Sequence, residues 1–236
     1  MTSKSAISAI NQAGALLVFP LDNRKEPASI WSHFFPRSPM RWEWDESGDN
    51  RVGDLWHLRA RLSTTGKVVY TKWFRGRATY FSRDLFCVLL RSLNPIDSYS
   101  GLSTESRAVL RILEGESPLS TKEIKRIADL QGRAMEKNYE RAMRELWSRC
   151  LIVAYGEVED SSFPSLAVGA TRVLFEDLWT QAWKIGTSEA ENRLGKLLAP
   201  ENLFYRHYLK LKVSGTPRPK RGKGPQISNV VRFDEL

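Results

Sequence analysis

The sequence predicts an α+β fold that is predominantly helical and carries short β-hairpins. Several stretches place apolar residues at i, i+3, i+4 and i+7, the spacing that lines one helix face. β-Branched and aromatic runs occur in pairs separated by turn residues. With 42% hydrophobic and 11% aromatic residues over 236 positions, the chain also has the apolar material for a core of one or two domains.

Residues 3–13 read as a short helix closed by Gly14, followed by the apolar run Ala15 to Phe19 and a stop at Pro20. Pro27, Pro36 and Pro39 surround SIWSHFF, and MRWEWDESGD follows. Helical spacing returns in DLWHLRARL, where Leu55, Leu58 and Leu62 share a face flanked by Trp56, and Gly66 ends it. KVVYTKWF and ATYFS, separated by RGR, read as a hairpin with Gly76 at its tip. Ser82 caps the next helix, RDLFCVLLRSL, with Asp84 in its first turn.

PIDSYSGL is turn-rich and reads as a linker. Beyond it, Ser103 caps a helix bearing Val109, Leu110 and Leu113, broken at Gly115 and Pro118. Ser120 to Glu123 has capping-box spacing before IKRIADL, whose expected buried stripe is Ile124, Ile127 and Ala128. A third helix aligns Tyr139, Ala142, Met143, Leu146, Trp147 and Cys150 on an unbroken apolar face. LIVAYGEV and LAVGATRVLF then read as two strands around the turn EDSSFPS. Three short helices followed by a hairpin are the order of a winged helix-turn-helix. The remainder is amphipathic and helical, and Trp179, Trp183, Leu194, Leu197 and Leu198 are expected to be buried. The organisation expected is a wing-like domain with a basic hairpin at 1–100, a winged helix at 101–175, packing helices at 176–212 and a basic flexible tail at 213–236. No internal repeat of convincing period is visible in the sequence.

Several functional classes are excluded at this level. No run approaches the ~18–20 apolar residues of a membrane helix. The N-terminus lacks a small-residue cleavage site, and two cysteines in apolar surroundings, Cys87 and Cys150, suit a cytoplasmic protein with reduced thiols. His33, His57 and His207 form no HxH or HxxxH pair with each other, so no metal site is expected. Walker, G-x-G-x-x-G and G-x-S-x-G motifs are missing, and no cofactor is expected. WEWDESGD clusters acidic residues beside indoles, which makes Glu43 and Asp45 weak candidates for a general acid or base; an acidic loop in water is the plainer reading.

The distribution of charge points further. The net charge of +9 is concentrated: residues 51–91 carry +7 and residues 210–236 carry +5, while 1–50 and 92–209 carry −1 and −2. Concentrated positive charge attracts polyanions, and the expected partner is double-stranded DNA, with no membrane. Lys137, Arg141 and Arg144 lie opposite the apolar face of the third helix, with Arg133 just before. A helix of this kind fits the major groove. Glu136, Glu140 and Glu145 are interleaved, however, and Glu140–Arg144 and Arg141–Glu145 are expected i, i+4 ion pairs that weaken the field. On the first hairpin, Lys72, Arg75 and Arg77 surround Trp73 and Phe74, a combination that neutralises phosphates and wedges an aromatic beside a base. The alternative is a strand whose Val69, Trp73 or Phe81 fills a core. Lys220, Arg221 and Lys223 of the tail complete the candidate DNA contacts.

The stretches AINQAGALLVFPLDN…EPASIWSHF, GDLWHLRARLSTTGKVVYTKWFRGRATYFSRDLF and GLSTESRAVLRILEGESPLSTKEIKRIADL resemble the AlkZ-related winged-helix proteins. These are distant relatives of the AlkZ-like alkylpurine DNA glycosylases, and the resemblance covers roughly residues 5–185. It implies a multi-winged-helix fold that binds DNA and a link to repair. The glycosylases position water with a Q-x-Q or Q-x-D motif, whereas Gln12, Gln131, Gln181 and Gln226 have no such spacing. No catalytic residue is therefore carried over. The leading expectation is a cytoplasmic, nucleoid-associated DNA-binding protein. Two alternatives stay open: a glycosylase that flips a damaged base into a Trp-lined pocket, and a homodimeric regulator.

Overall fold

The computed structural model describes residues 1–41, 49–159 and 164–215. It is an α+β structure with one antiparallel sheet of six strands. The first part comprises α1 (Ser3–Ala13), β1 (Ala15–Leu17), α2 (Ile30–Phe34), α3 (Asn50–Ser63), β2 (Val69–Phe74) and β3 (Arg77–Phe81). Its helices start at side-chain caps: Thr2 accepts from Ser5 N–H, Ser29 from Ser32 N–H, and Asp49 from Arg51 N–H. β1 pairs with β3, and β2 and β3 form the hairpin. α4 (Arg83–Leu93) follows, capped by Ser82 as expected.

The same order then recurs. α5 (Thr104–Gly115), β4 (Leu119–Ser120), α6 (Thr121–Ile127), α7 (Glu136–Ser148), β5 (Ile152–Val158) and β6 (Ser165–Ala170) again run helix, short strand, two helices, hairpin. The short strand β4 again pairs with the last strand, β6. Both hairpins carry a register shift in corresponding strands, between Thr71 and Phe74 in β2 and between Ala154 and Glu157 in β5. The repeat is therefore one of topology, held by helical and strand periodicity rather than by residue identity.

The two halves meet edge to edge. The strand order β1-β3-β2-β5-β6-β4 is a palindrome of the two halves, joined where Tyr70 faces Ala154. Each half also ties its long third helix to the other half's hairpin. The Trp73 indole N–H of β2 donates to the Ser148 carbonyl at the end of α7, at 3.2 Å. The Gly156 N–H of β5 donates to the Ser63 hydroxyl at the end of α3, at 2.9 Å. Gly156 lies at φ +81°, and a Cβ there would stand 3.1 Å from the Thr64 methyl, so the bulge takes a residue without a side chain.

The C-terminal elements are α8 (Thr171–Leu174), α9 (Glu176–Lys184), α10 (Thr187–Leu197) and α11 (Leu203–Gly215). α9 and α10 pack on α4. Arg83 pairs with Asp177, and the Arg91 Nε–H donates to the Ile185 carbonyl at 2.9 Å. α11 lies against the first hairpin: Phe204 meets Phe74 edge-on with centroids 5.1 Å apart, and His207 Nε2 donates to the Trp73 carbonyl at 3.1 Å. One continuous apolar core joins Leu17, Leu58 and Phe81 to Val109, Leu146 and Ile152, and onward to Leu178 and Phe204.

Several expectations are corrected. The stretch LAVGATRVLF is strand only to Ala170, because Thr171 donates its hydroxyl to the Cys150 carbonyl and starts α8. Ile124 is buried but Ile127 is 39% exposed, since α6 ends there and Asp129 turns the chain at φ +54°. Leu194 and Leu198 are buried, Trp179 and Trp183 are half-buried and stacked at 4.2 Å, and Leu197 is 47% exposed. The linker PIDSYSGL is pinned: Arg149 donates to the Ser100 and Asp97 carbonyls, and its Nε–H to Asn94 Oδ1 at 2.9 Å. Cys87 and Cys150 are buried free thiols, and burial raises both pKa values, that of Cys87 to about 11. Among the described residues, no helix is long and apolar enough to cross a membrane, and no cluster of three potential metal ligands occurs.

Candidate nucleic-acid interface

The outer face of α7 is built by its apolar stripe. With Tyr139, Ala142, Met143, Leu146 and Trp147 buried, the residues between them must face outward. Lys137, Glu140, Arg141 and Arg144 are all exposed there, and Arg133 is exposed in the turn before. The expected neutralisation by glutamates is corrected. Glu145 turns inward, where its Oε2 accepts from the Ser103 N–H at 3.2 Å, from the Ser103 hydroxyl at 2.8 Å, and from the Ser106 hydroxyl. It thus satisfies the N-terminus of α5. Glu136 is taken by Lys125 at 2.7 Å, whose ammonium also lies 4.6 Å from the Tyr139 ring centroid. Among the described residues, neither Arg141–Glu145 nor Glu140–Arg144 forms an ion pair; Arg141 instead approaches Glu105 at 3.7 Å. Three cations and one carboxylate therefore share the exposed face.

The hairpin tip is the second cationic element. Phe74 pairs with Arg77, leaving Arg75 and Gly76 as a two-residue turn with φ +52° and +73°. Positive φ at both positions is the type I′ hairpin turn, which matches the strand twist. Arg75 and Arg77 are exposed, and the Arg75 guanidinium lies 5.2 Å from the Phe74 ring centroid.

The aromatic wedge expected at this tip is corrected. Trp73 and Phe74 are both buried, because the bulge in β2 turns consecutive residues inward under α11 and against the end of α7. Thr71 and Phe81 are buried as well, so the strand fills the core and only its tip is free.

Lys72 differs from the two tip arginines. It is half-buried, and burial followed by the nearby Arg59 charge lowers its pKa from the usual lysine range. Arg59 is only 6% exposed. It pairs with Glu157 of β5, and its Nη1 donates to the Tyr70 hydroxyl at 3.2 Å, while the Tyr80 hydroxyl donates to the Arg59 carbonyl at 2.6 Å. Burial disfavours its charge, but Tyr70 and Glu157 outweigh that and hold its pKa above the ordinary arginine value. Its Nε has no hydrogen-bond partner. The Arg59 guanidinium also stacks 4.2 Å from the Trp56 ring centroid. The sequence carries a signal for this residue: in the i, i+3, i+4, i+7 stripe Leu55, Leu58, Arg59, Leu62, the i+4 place holds an arginine.

Glu43 and Asp45 lie outside the described residues, as do Lys220, Arg221 and Lys223. Two surface depressions stand out. One, of about 450 Å³, lies along α9 between Glu176, Asp177, Thr180, Gln181 and Lys184. The other, of about 210 Å³, lies between α6 and the end of β5 at Lys122, Glu123, Arg126, Gln131 and Val158. Neither is lined by a residue of the first hairpin.

Comparison with known proteins adds one match: a family model described as AlkZ related covers residues 1–200. No curated protein and no solved structure matches the chain.

Proposed function

The chain belongs to the AlkZ-related family, and on that premise we propose that it is a duplex-DNA-binding protein of winged-helix type. The exposed face of α7 carries this reading. Lys137, Arg141 and Arg144 stand there against Glu140, with Glu105 of α5 at 3.7 Å from Arg141, because Glu136 and Glu145 are engaged by Lys125 and by Ser103 and Ser106. A helix with a net basic face is suited to the major groove and its flanking phosphates. The order α5, β4, α6, α7, β5, β6, with β4 paired to β6, supports a winged helix at 101–175, and the matching order of α1 to β3 supports a second one. Arg75 and Arg77 then sit at the tip of the first wing, a usual place for backbone phosphate contacts. Lys220, Arg221 and Lys223 of the C-terminal tail supply further cations for phosphate.

We read the activity as binding, in a cytoplasmic, nucleoid-associated protein, rather than base excision. The Q-x-Q or Q-x-D water-positioning pattern of the AlkZ-like glycosylases is missing from this sequence.

The wing tip tests the reading. Arg75→Asn combined with Arg77→Ser removes both charges while keeping an Asn-Gly pair, which the type I′ turn favours, so the melting temperature should hold. The slope of log Kobs against log salt should become shallower by about 2 for duplex DNA, close to −0.9 per lost phosphate contact. Intact and lesion-bearing duplexes should lose affinity equally, since phosphate contacts carry no sequence information. A loss confined to damaged DNA would favour the excision enzyme, and unchanged affinity and slope would remove the hairpin from the interface.

A further inference from the structure

Trp56 is the only Trp, Tyr or Phe that is more than a third exposed among the described residues, at 44%. Its position in the fold is informative. α3 holds in the first topological repeat the place that α7 holds in the second. Leu55, Leu58 and Leu62 point into the core, which turns Trp56, His57 and Arg61 outward.

The indole is also held. One face lies against the Arg59 guanidinium at 4.2 Å, and Arg59 is itself fixed by Glu157, Tyr70 and Tyr80. A rigid aromatic backed by a buried cation offers its other face to a flat partner at little ordering cost. The surroundings favour an anion beside that partner. Lys72 is half-buried and without a hydrogen-bond or ion-pair partner among the described residues, and the buried Arg59 keeps an unpartnered Nε. With Arg59 paired to Glu157, the Lys72 ammonium is the cation left for a ligand, and a cation beside a free aromatic face is the recognition chemistry of a nucleotide: a base to stack and a phosphate to pair.

We propose that Trp56 and Lys72 form a nucleotide subsite, in which an unstacked DNA base lies on the free face of the indole and its phosphate meets the Lys72 ammonium. This rests on the DNA-binding reading and adds to it the element that senses unpaired bases. The aromatic expected on the first hairpin is thereby supplied by α3 instead.

The test uses the full chain with two duplexes, one fully paired and one carrying an unpaired 2-aminopurine. The wild type is expected to bind the second more tightly and to quench its fluorescence by stacking. Trp56→Leu still covers Arg59 with an apolar side chain but lacks the aromatic face. It should lose the quenching and about tenfold in affinity for the unpaired duplex, with fully paired affinity within twofold. Lys72→Gln should weaken binding to the unpaired duplex and make its salt slope shallower by about 1. If Trp56→Leu fails to fold by circular dichroism, Trp56→Phe replaces it and should give a partial loss. Retained quenching and preference in a folded Trp56 variant overturns the subsite while leaving the DNA-binding reading intact. Conversion of a wild-type dimer to a monomer by Trp56→Leu, with quenching unchanged, would assign the indole to a second copy of the chain and overturn it too. No binding of either duplex by the wild type overturns both the subsite and the reading it rests on.

Discussion

Glu157→Ala is expected to cost about 3 kcal/mol of stability, because it strands the Arg59 guanidinium in the joint between the two halves. Breaking a buried pair by removing one partner typically costs ~3–5 kcal/mol, since the remaining charge has lost both its attraction and its water. Arg59 is 6% exposed, and the Glu157 side chain is 19% exposed, so the low end applies. For a chain of this length, each kcal/mol shifts Tm by about 2–4 °C, so a fall of about 6–12 °C is predicted by thermal circular dichroism. The double variant Arg59→Leu, Glu157→Leu should recover most of that loss, because an apolar pair of similar volume carries no buried charge. A Tm within a degree of wild type for Glu157→Ala would mean that the pair is as weak as an exposed one. The consequence reaches beyond stability. Arg59 is on α3, Tyr70 on β2 and Glu157 on β5, so this one cluster ties together a helix and the two strands that join the halves. Its loss should loosen the relative placement of the two hairpins before either unfolds.

Arg141→Ala with Arg144→Ala is expected to weaken binding to the preferred duplex by about 2–6 kcal/mol, from ~1–3 kcal/mol for each bidentate base contact. Stability should be almost unchanged. Both side chains are exposed, and the one ion pair lost, Arg141 with Glu105 at 3.7 Å, is long and on the surface. The neighbouring acid provides a control of opposite sign. Glu140→Ala removes the one unengaged carboxylate on this face, so binding should strengthen and its salt dependence should steepen. A competition series against mutated sites separates the two roles of the arginines. Relaxed preference at particular base pairs marks base-edge contacts, whereas uniform weakening marks phosphates. A folded double variant with wild-type affinity would turn this face toward protein or water.

Much of the fold is legible because it rests on periodicity and capping. The α7 stripe from Tyr139 to Trp147, the Ser120–Glu123 capping box and the Ser82 cap all stand where the residue types put them, whereas Cys150, expected on the same stripe, lies beyond the helix end at Ser148 with φ +57°. The paired hairpins are legible for the same reason, down to the Arg75–Gly76 turn. What sequence reasoning misses is non-local. A bulge moves Trp73 and Phe74 together into the core, and strict alternation cannot show that. Glu145 looks like the i+4 partner of Arg141, but the free N–H and hydroxyl groups at the start of α5 compete for it from 42 positions away. Arg59 finds its carboxylate 98 positions further on. The topological repeat stays hidden because only element order and pairing are shared, while the loops between elements differ in length. At the candidate interface, the exposed charges of α7 and of the first hairpin's tip are readable from the helix and turn patterns. The exposed indole of Trp56 is not, since a tryptophan flanking an apolar stripe is more often buried.

The salt dependence of duplex binding tests the central claim most directly. If the α7 cations and the hairpin-tip arginines meet phosphates, the binding constant should fall steeply as salt rises. Five such contacts, from Lys137, Arg141, Arg144, Arg75 and Arg77, give a slope near −4.5 at about −0.9 each. Arginines that reach base edges instead make the slope shallower while leaving it clearly negative. The measurement is a fluorescence-anisotropy titration of the full chain with a duplex over a range of salt concentrations. A steep linear fall, reduced by about 2 in Arg75→Asn, Arg77→Ser, is the predicted result. A binding constant independent of salt, or no binding to any duplex at low salt, would contradict the account.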